Sequence, residues 1–366
     1  MSSRGAEPAP RVNLALSDEL LLHLVTPDRR AAAQHCAALV GSGLALDHLV
    51  DQGLAPAMAE VGTLWESAVW SVADEHAATA VAEAALSAAA AECPMSPHSG
   101  EVVVACTEGD WHSLPSRMLA EVLVSRGWSV RFLGASHPTD LLVEHVARHQ
   151  PQAVLLSCAV PMALPALVDA VQAIHDLGLP VYVGGRALGH SARRAETVGA
   201  DGWARSASEA HGLLTRPTVP RHRSGSNISR RLEQYRTRQT LMPPWTAQAM
   251  KALEAAMPAV ASYPQRVRDR TSADLLHLLD MSSIAVLVAD PTLMDEQCAW
   301  LAHVLAARGV PPDALAYGLR ALRQTRPPGG GSAEIDAVIR QAQQSLPTQH
   351  TLQHQPRARS EPPGLM

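Results

Sequence analysis

The run Val102-Val103-Val104-Ala105, followed by the loop Thr107-Glu108-Gly109-Asp110-Trp111-His112-Ser113-Leu114-Pro115, decides the fold. Four apolar residues that give way to a polar, glycine-bearing loop read as a buried strand whose end opens on solvent. The pattern returns at Val130-Arg131-Phe132-Leu133, Ala153-Val154-Leu155-Leu156 and Val181-Tyr182-Val183. Helical stretches near Met118 to Ser125, Leu141 to Arg148 and Leu164 to Ile174 separate these runs. A last strand–helix unit includes Trp203 and a helix over Ser208 to Leu213. Short buried strands alternating with helices imply a parallel sheet covered on both faces. Right-handed crossovers make that sheet doubly wound. The expectation for residues 99–215 is therefore an α/β domain.

Upstream, residues 13–93 read as a helical bundle. Thr26-Pro27-Asp28 has the chemistry of a helix start, with Thr26 as cap, Pro27 at the first position and an acid facing the dipole. Gly41 and Gly43 stop that helix. Another helical segment runs from Leu44 through Trp65, and Ser71 or Asp74 can cap the next, which carries Glu75, His76 and a long alanine stretch. Cys93-Pro94 to Gly100 links bundle to sheet.

Downstream, residues 216–240 are rich in Arg, Pro and Ser, including Pro217, Pro220 and Ser224-Gly225-Ser226, and read as a linker. A nucleic-acid arm is the other reading of the same composition. Helices return over 241–346, where Leu315, Leu319 and Leu322 share a face and Gly329-Gly330-Gly331 breaks the chain before a final helix. Residues 1–12 and 347–366 read as disordered.

Composition narrows the function classes. A net charge of -5 gives no global attraction to nucleic acid, although a local patch can still bind it. The five cysteines are scattered without a C-x-x-C pair, so neither a zinc knuckle nor a disulfide framework is expected. The opening stretch has no apolar core of a secretory signal, and the longest alanine run is broken by Glu83. The expectation is a cytoplasmic protein with no membrane partner.

In a doubly wound sheet, ligands bind beyond the carboxyl ends of the strands. The loop after the first strand places Asp110 and His112 two residues apart, so both can point the same way. A carboxylate on one imidazole nitrogen fixes the tautomer and makes the other nitrogen a better metal ligand. Alone, such a histidine reads equally as an ordinary polar loop residue, Gly184-Gly185 as a strand-to-helix turn, and Trp65 as a core aromatic.

Taken together, residues from about Val61 to Leu214 resemble the cobalamin-binding module of methionine synthase and of B12-dependent photoreceptor regulators. Asp110-Trp111-His112-Ser113-Leu114-Pro115 resembles that family's D-x-H-x-x-G loop, with Pro115 in place of the glycine. Ser157-Cys158-Ala159 resembles its Ser-x-Leu element, with Ala159 for leucine, and Gly184-Gly185 matches its paired glycines. Val61-Gly62-Thr63-Leu64-Trp65 and the pair Glu75-His76 resemble the photoreceptor subgroup.

The resemblance implies a helical bundle before a flavodoxin-like, Rossmann-like domain, followed here by a C-terminal helical domain. It implies a cobalamin cofactor, as adenosylcobalamin or methylcobalamin, with cobalt as the metal and His112 replacing the cofactor's own base as lower ligand. Ser157, Gly184 and Gly185 would accommodate the displaced nucleotide tail. Trp65 would cover the upper face, Glu75 would hydrogen-bond the alkyl group, and His76 would take the upper cobalt position once that group leaves.

Two functions follow from the resemblance. One is a regulatory, photoreceptor-like sensor that is not an enzyme. The stretch before the bundle is too short for a DNA-binding head, so direct DNA binding is not expected. An unidentified protein partner would dock on the C-terminal helices, where Trp300-Leu301 and Arg308-Gly309-Val310-Pro311 look like regions that accompany such modules. The other is a corrinoid methyl carrier serving a methyltransferase. Pro115 and Ala159 keep open a third reading, a helical interaction protein that has lost the cofactor. Assembly with like chains is left open.

Overall fold

The computed structural model of the chain describes residues 15–26, 28–94, 99–216, 226–311, 313–328 and 332–346. The two tails expected to be disordered lie outside those residues, as do Pro27, Pro217, Pro220, Ser224, Gly225 and the Gly329-Gly330-Gly331 break.

The first block is helical. It comprises α1 (Leu16–Val25), α2 (Arg29–Gly41), α3 (Leu46–Leu49), α4 (Ala55–Glu66) and α5 (Val72–Ala91), with a π turn, Val50–Leu54, between α3 and α4. The cap of α2 is Asp28 rather than Thr26: its side chain accepts from Arg30 N and Ala31 N. A carboxylate already at the helix mouth satisfies those amides better than a hydroxyl two residues upstream. At α5 both candidate residues act, since Ser71 Oγ accepts from Asp74 N and the Asp74 carboxylate accepts from Ser71 N. Helix α5 packs along α2. Its buried seam holds Ala78, Ala82, Ala85 and Ala89, each 1% exposed or less.

Five parallel strands follow: β1 (Glu101–Cys106), β2 (Ser129–Gly134), β3 (Ala153–Ser157), β4 (Val181–Gly184) and β5 (Gly202–Ala204). Their spatial order is β2-β1-β3-β4-β5. The interleaved helices are α6 (Ser113–Ser125), α7 (Thr139–His149), α8 (Leu164–Asp176), α9 (Arg193–Val198) and α10 (Ala207–Leu214). Pro115 is the third residue of α6, within the first turn, where a missing N–H costs no helical hydrogen bond. The chain reverses winding between β1 and β3, so a crevice opens outside their carboxyl ends.

One face of the sheet packs on α6 and α10, and the helical bundle lies beyond them, sharing Leu114, Met118, Val122 and Ala207 with its own core. Asp51 fixes the contact by accepting from Ala207 N and Ser208 N, both at 3.1 Å, at the positive end of α10.

The other face packs on α7, α8 and α9. Beyond it lie α11 (Ser226–Gln239), α12 (Met242–Ala256), α13 (Pro258–Ala261), α14 (Gln265–Leu287), α15 (Thr292–Ala307), α16 (Asp313–Gln324) and α17 (Ser332–Ser345). The linker expected over 216–240 is thus corrected: residues 226–239 form α11. Its arginine-rich sequence hides an apolar stripe, Ile228, Leu232 and Tyr235, which packs into the core. That core is continuous, running from Val154 and Leu156 of the sheet through Leu164, Leu167 and Val171 of α8 to Trp245, Leu279, Ile284 and Leu319. Each fully buried leucine there contributes about 1.5–3 kcal/mol. Among the described residues, no helix is long and apolar enough to cross a membrane.

Candidate cofactor site at the carboxyl edge of the sheet

The loop after β1 is stitched to its neighbours by backbone hydrogen bonds. Thr107 N and Thr107 Oγ1 donate to Ser157 O at 2.9 and 3.0 Å, tying β1 to the end of β3. Gly109 turns with φ +84°, which a glycine adopts without strain, and its N–H donates to Ser136 Oγ after β2. Ser136 N returns a bond to Asp110 O at 2.8 Å.

Asp110 is fully buried. One carboxylate oxygen accepts from His112 N at 3.0 Å and His112 Nδ1 at 2.9 Å. The other accepts from Ala159 N in the loop after β3. A buried carboxylate can only accept here, so the imidazole proton resides on Nδ1 and the lone pair on Nε2. The His112 ring is 62% exposed, and its Nε2 makes no hydrogen bond among the described residues. The Asp110 hydrogen bond raises His112 above the ordinary imidazole value against the opposing effect of burial. Arg186 lowers it and Glu75 raises it, so both charges lie within reach of this ring.

Ser157 is 7% exposed, and its hydroxyl makes no hydrogen bond among the described residues. Gly184 and Gly185 follow on β4. Cys158 N donates to Gly184 O at 2.9 Å and Ala187 N donates to Cys158 O at 3.1 Å. A Cβ on Gly185, where φ is +109°, would lie 2.2 Å from Cys158 O. Gly185 thus permits the close approach of the loops after β3 and β4, while a Cβ on Gly184 would lie 2.9 Å from Ala204 O of β5.

Across the crevice, Glu75 accepts from Thr79 Oγ1 at 3.0 Å and pairs with His76 Nδ1 at 2.6 Å. The His76 ring is 75% exposed. Trp65 is half-buried at the end of α4, beside an open cleft of about 500 Å3 that Val69, Val72 and Asp74 also line. The structure thus gathers Asp110, His112, Ser157, Gly184 and Gly185 on one edge, with Glu75 close enough to act on the charge of His112. Among the described residues His76 meets the rest of the group only through Glu75.

Four further residues join this region without having been singled out for it in the sequence. Arg186, next after the paired glycines, approaches Glu66 at 3.9 Å. An exposed pair at that distance contributes little stability, yet it spans the crevice from sheet to bundle. Trp300 and Arg308 reach the same end of α4 from α15. A position directly after Gly184-Gly185 could have flagged Arg186. Nothing in a linear reading links Trp300 to Glu66, 234 residues away.

The residues present fit a planar, metal-bearing macrocycle. One imidazole nitrogen is fixed and free, a buried hydroxyl is unspent, and acidic and aromatic side chains stand opposite. Among the described residues no three His, Cys, Asp or Glu side chains converge into a metal cluster of the protein's own. A five-stranded doubly wound sheet with a helical cap over a histidine-bearing switch-point loop defines the class of cofactor-binding α/β modules.

Two family models, both described as a B12 binding domain, match the chain: one over residues 16–89, the bundle, and one over residues 100–211, the sheet domain. Dimethylamine corrinoid protein 1 of Methanosarcina acetivorans is 31% identical over 172 residues, covering 44% of this chain and 78% of that protein. The HTH-type transcriptional repressor CarH of Myxococcus xanthus is 31% identical over 140 residues, 37% of this chain and 46% of its own length. The solved monomethylamine corrinoid protein of Methanosarcina barkeri is 21% identical, covering 54% of this chain and 96% of that one, with a TM-score of 0.48. The chain belongs to the family of B12-binding domain proteins, and cobalamin is its cofactor.

Proposed function

We propose that this protein is a cobalamin-dependent sensor that holds its cofactor through His112 and signals by protein contact. Bound cobalamin supplies a cobalt centre with one exchangeable upper position. Asp110 holds the His112 proton on Nδ1 and aims Nε2 outward as the lower ligand. Ser157 offers its hydroxyl to the displaced tail beside the sheet. Glu75 and Trp65 line the upper side, and His76 stands ready to replace an alkyl group there, which would make the protein light-responsive with adenosylcobalamin.

The observation that carries this reading is the buried Asp110 carboxylate on His112 Nδ1 at 2.9 Å, at the winding reversal of the sheet, with Nε2 unpaired. The sensor role draws support from the likeness to CarH and from the helices α11 to α17, which lie outside both matched spans. A second reading, a methyl carrier that docks on a methyltransferase, is favoured by the likeness to dimethylamine corrinoid protein 1.

The test is to load the protein with adenosylcobalamin in the dark and record visible spectra before and after illumination. The sensor reading expects an imidazole-ligated spectrum that His112→Ala abolishes, and a light-induced change that His76→Ala alters. Release of free corrinoid on illumination, together with turnover of a methyl donor in the presence of a methyltransferase, would establish the carrier instead. An unchanged spectrum and affinity in His112→Ala would overturn the ligand assignment.

A further inference from the structure

Helix α4 ends beside the crevice, and the last carbonyls of any helix lack partners within it. Here a residue from far downstream supplies donors to two of them, one of which, Trp65 O, also accepts from Ala68 N at 3.0 Å. Arg308 Nη2 donates to Trp65 O and Arg308 Nη1 to Glu66 O, both at 3.1 Å. A cation at that position also meets the negative end of the helix dipole. The same guanidinium lies 4.9 Å from the centre of the Trp65 ring. About two turns earlier on α15, Trp300 stacks on Trp65 with centroids 6.2 Å apart and planes inclined by 27°. Its indole N–H donates to Glu66 Oε1 at 2.9 Å. Two side chains of α15 therefore hold the carbonyls, the ring and the carboxylate of one dipeptide.

The start of α15 is fixed elsewhere. Arg194, on α9 of the sheet domain and 3% exposed, donates to Asp290 Oδ2 at 2.8 Å, to Glu296 Oε1 at 2.9 Å and to Ala187 O at 3.2 Å. Helix α15 thus runs from a buried anchor on the sheet domain to the tip of the bundle, bypassing the direct contact between those two units. Lifting the bundle off the carboxyl edge requires breaking the grip on Trp65 and Glu66.

We infer that α15 is a latch that holds the helical cap closed over the carboxyl edge of the sheet, with Trp300 and Arg308 as positioning residues for Trp65. The inference rests on the cobalamin reading only for what lies beneath the cap. The latch itself is made of the chain's own residues and is testable without cofactor. Its function is to let the C-terminal domain govern access to the crevice.

Amide hydrogen exchange on the full-length protein without cofactor reads the latch directly. In Trp300→Ala/Arg308→Ala, exchange over residues 59–72 accelerates tenfold or more, while β1 and β3 exchange as before. Trp300→Phe keeps the ring contact, loses only the N–H bond, and gives an intermediate acceleration. It also stands in for the double variant should that variant fold poorly. Unchanged exchange over 59–72, or equal acceleration throughout the chain, would refute the latch. A second readout uses the protein loaded with hydroxocobalamin: cyanide replaces the upper ligand at least tenfold faster in the double variant than in the wild type. Equal rates in a folded, loaded variant count against the latch. Failure of the chain to take up hydroxocobalamin would overturn the cofactor reading and leave the exchange result to decide the latch alone.

Discussion

At the scale of single residues, Asp110 organises the site. Its two oxygens accept three hydrogen bonds and join the loops after β1 and β3 around one imidazole. Asp110→Ala leaves Ala159 N–H and His112 N–H without partners, which costs about 1–3 kcal/mol for a buried donor left unsatisfied. The freed ring weakens cobalamin binding by about 10–100-fold. Denaturant unfolding and a spectrophotometric cobalamin titration of the same variant check both numbers. Stability loss without any loss of affinity would confine Asp110 to a structural role. Asp110 and His112 were legible in sequence because they stand two residues apart in one loop. Ser157 and the paired glycines were legible for the same local reason, although Gly185 answers to Cys158 O before any ligand. Arg186 was legible only as the position after the paired glycines, whereas Trp300 and Arg308 were illegible as site residues, since their meaning arises only when distant segments meet at the end of α4.

At the scale of elements, the junction of α9 with the corner between α14 and α15 is centred on the buried pair of Arg194 with Asp290. Burial alone would raise the Asp290 carboxyl, but hydrogen bonds from Thr292 and Arg194 outweigh it and hold the group below the ordinary carboxylate range. A depressed value in the folded state means the contribution is complete above the unfolded value, about 3.9, and is lost as pH falls through the folded one. Between about pH 5 and pH 3 the wild type therefore loses more stability than Asp290→Asn, which has no carboxyl to protonate. Arg194→Ala, by stranding the carboxylate, costs about 3–5 kcal/mol at neutral pH. Thermal melts of both variants across that range are the check, and parallel curves for wild type and Asp290→Asn would show the pair to be idle. Most helices and four of the strands were readable from their apolar spacing. Helix α11 was not, because three core residues in an arginine-rich stretch leave the composition of a solvated segment.

At the scale of the whole molecule, the layers stack as bundle, α6 with α10, sheet, α7 to α9, and C-terminal helices. The last layer is not the separate body beyond a linker that the composition of residues 216–240 implies. It shares a single core with the sheet, so it does not separate at no cost. A chain ended after residue 216 strips α11 and α14 from the side of α8 that carries Asp169 and Gln172 and bares the apolar surface of the core the two layers share. Such a chain binds hydrophobic dyes and associates on size-exclusion chromatography, as large exposed apolar patches do. A monodisperse, dye-silent fragment would mean that the C-terminal helices are dispensable to folding. The order of the layers was implied by alternating strands and helices. The sharing of the core was not, because burial partners across more than a hundred residues leave no periodic trace.

The alanine seam of α5 has a mechanical meaning. Alanine has no rotamers to swivel, so contacts along Ala78, Ala82, Ala85 and Ala89 cannot yield by local rearrangement. With 20 residues, the helix is a rod about 30 Å long that begins beside the Trp65 turn and carries Glu75 in its first turn. A nudge at that end is not absorbed along the way. It arrives at Cys93 and the connection to the sheet as a tilt, so the geared alanines turn a small push over the crevice into a lever stroke at the far side of the bundle.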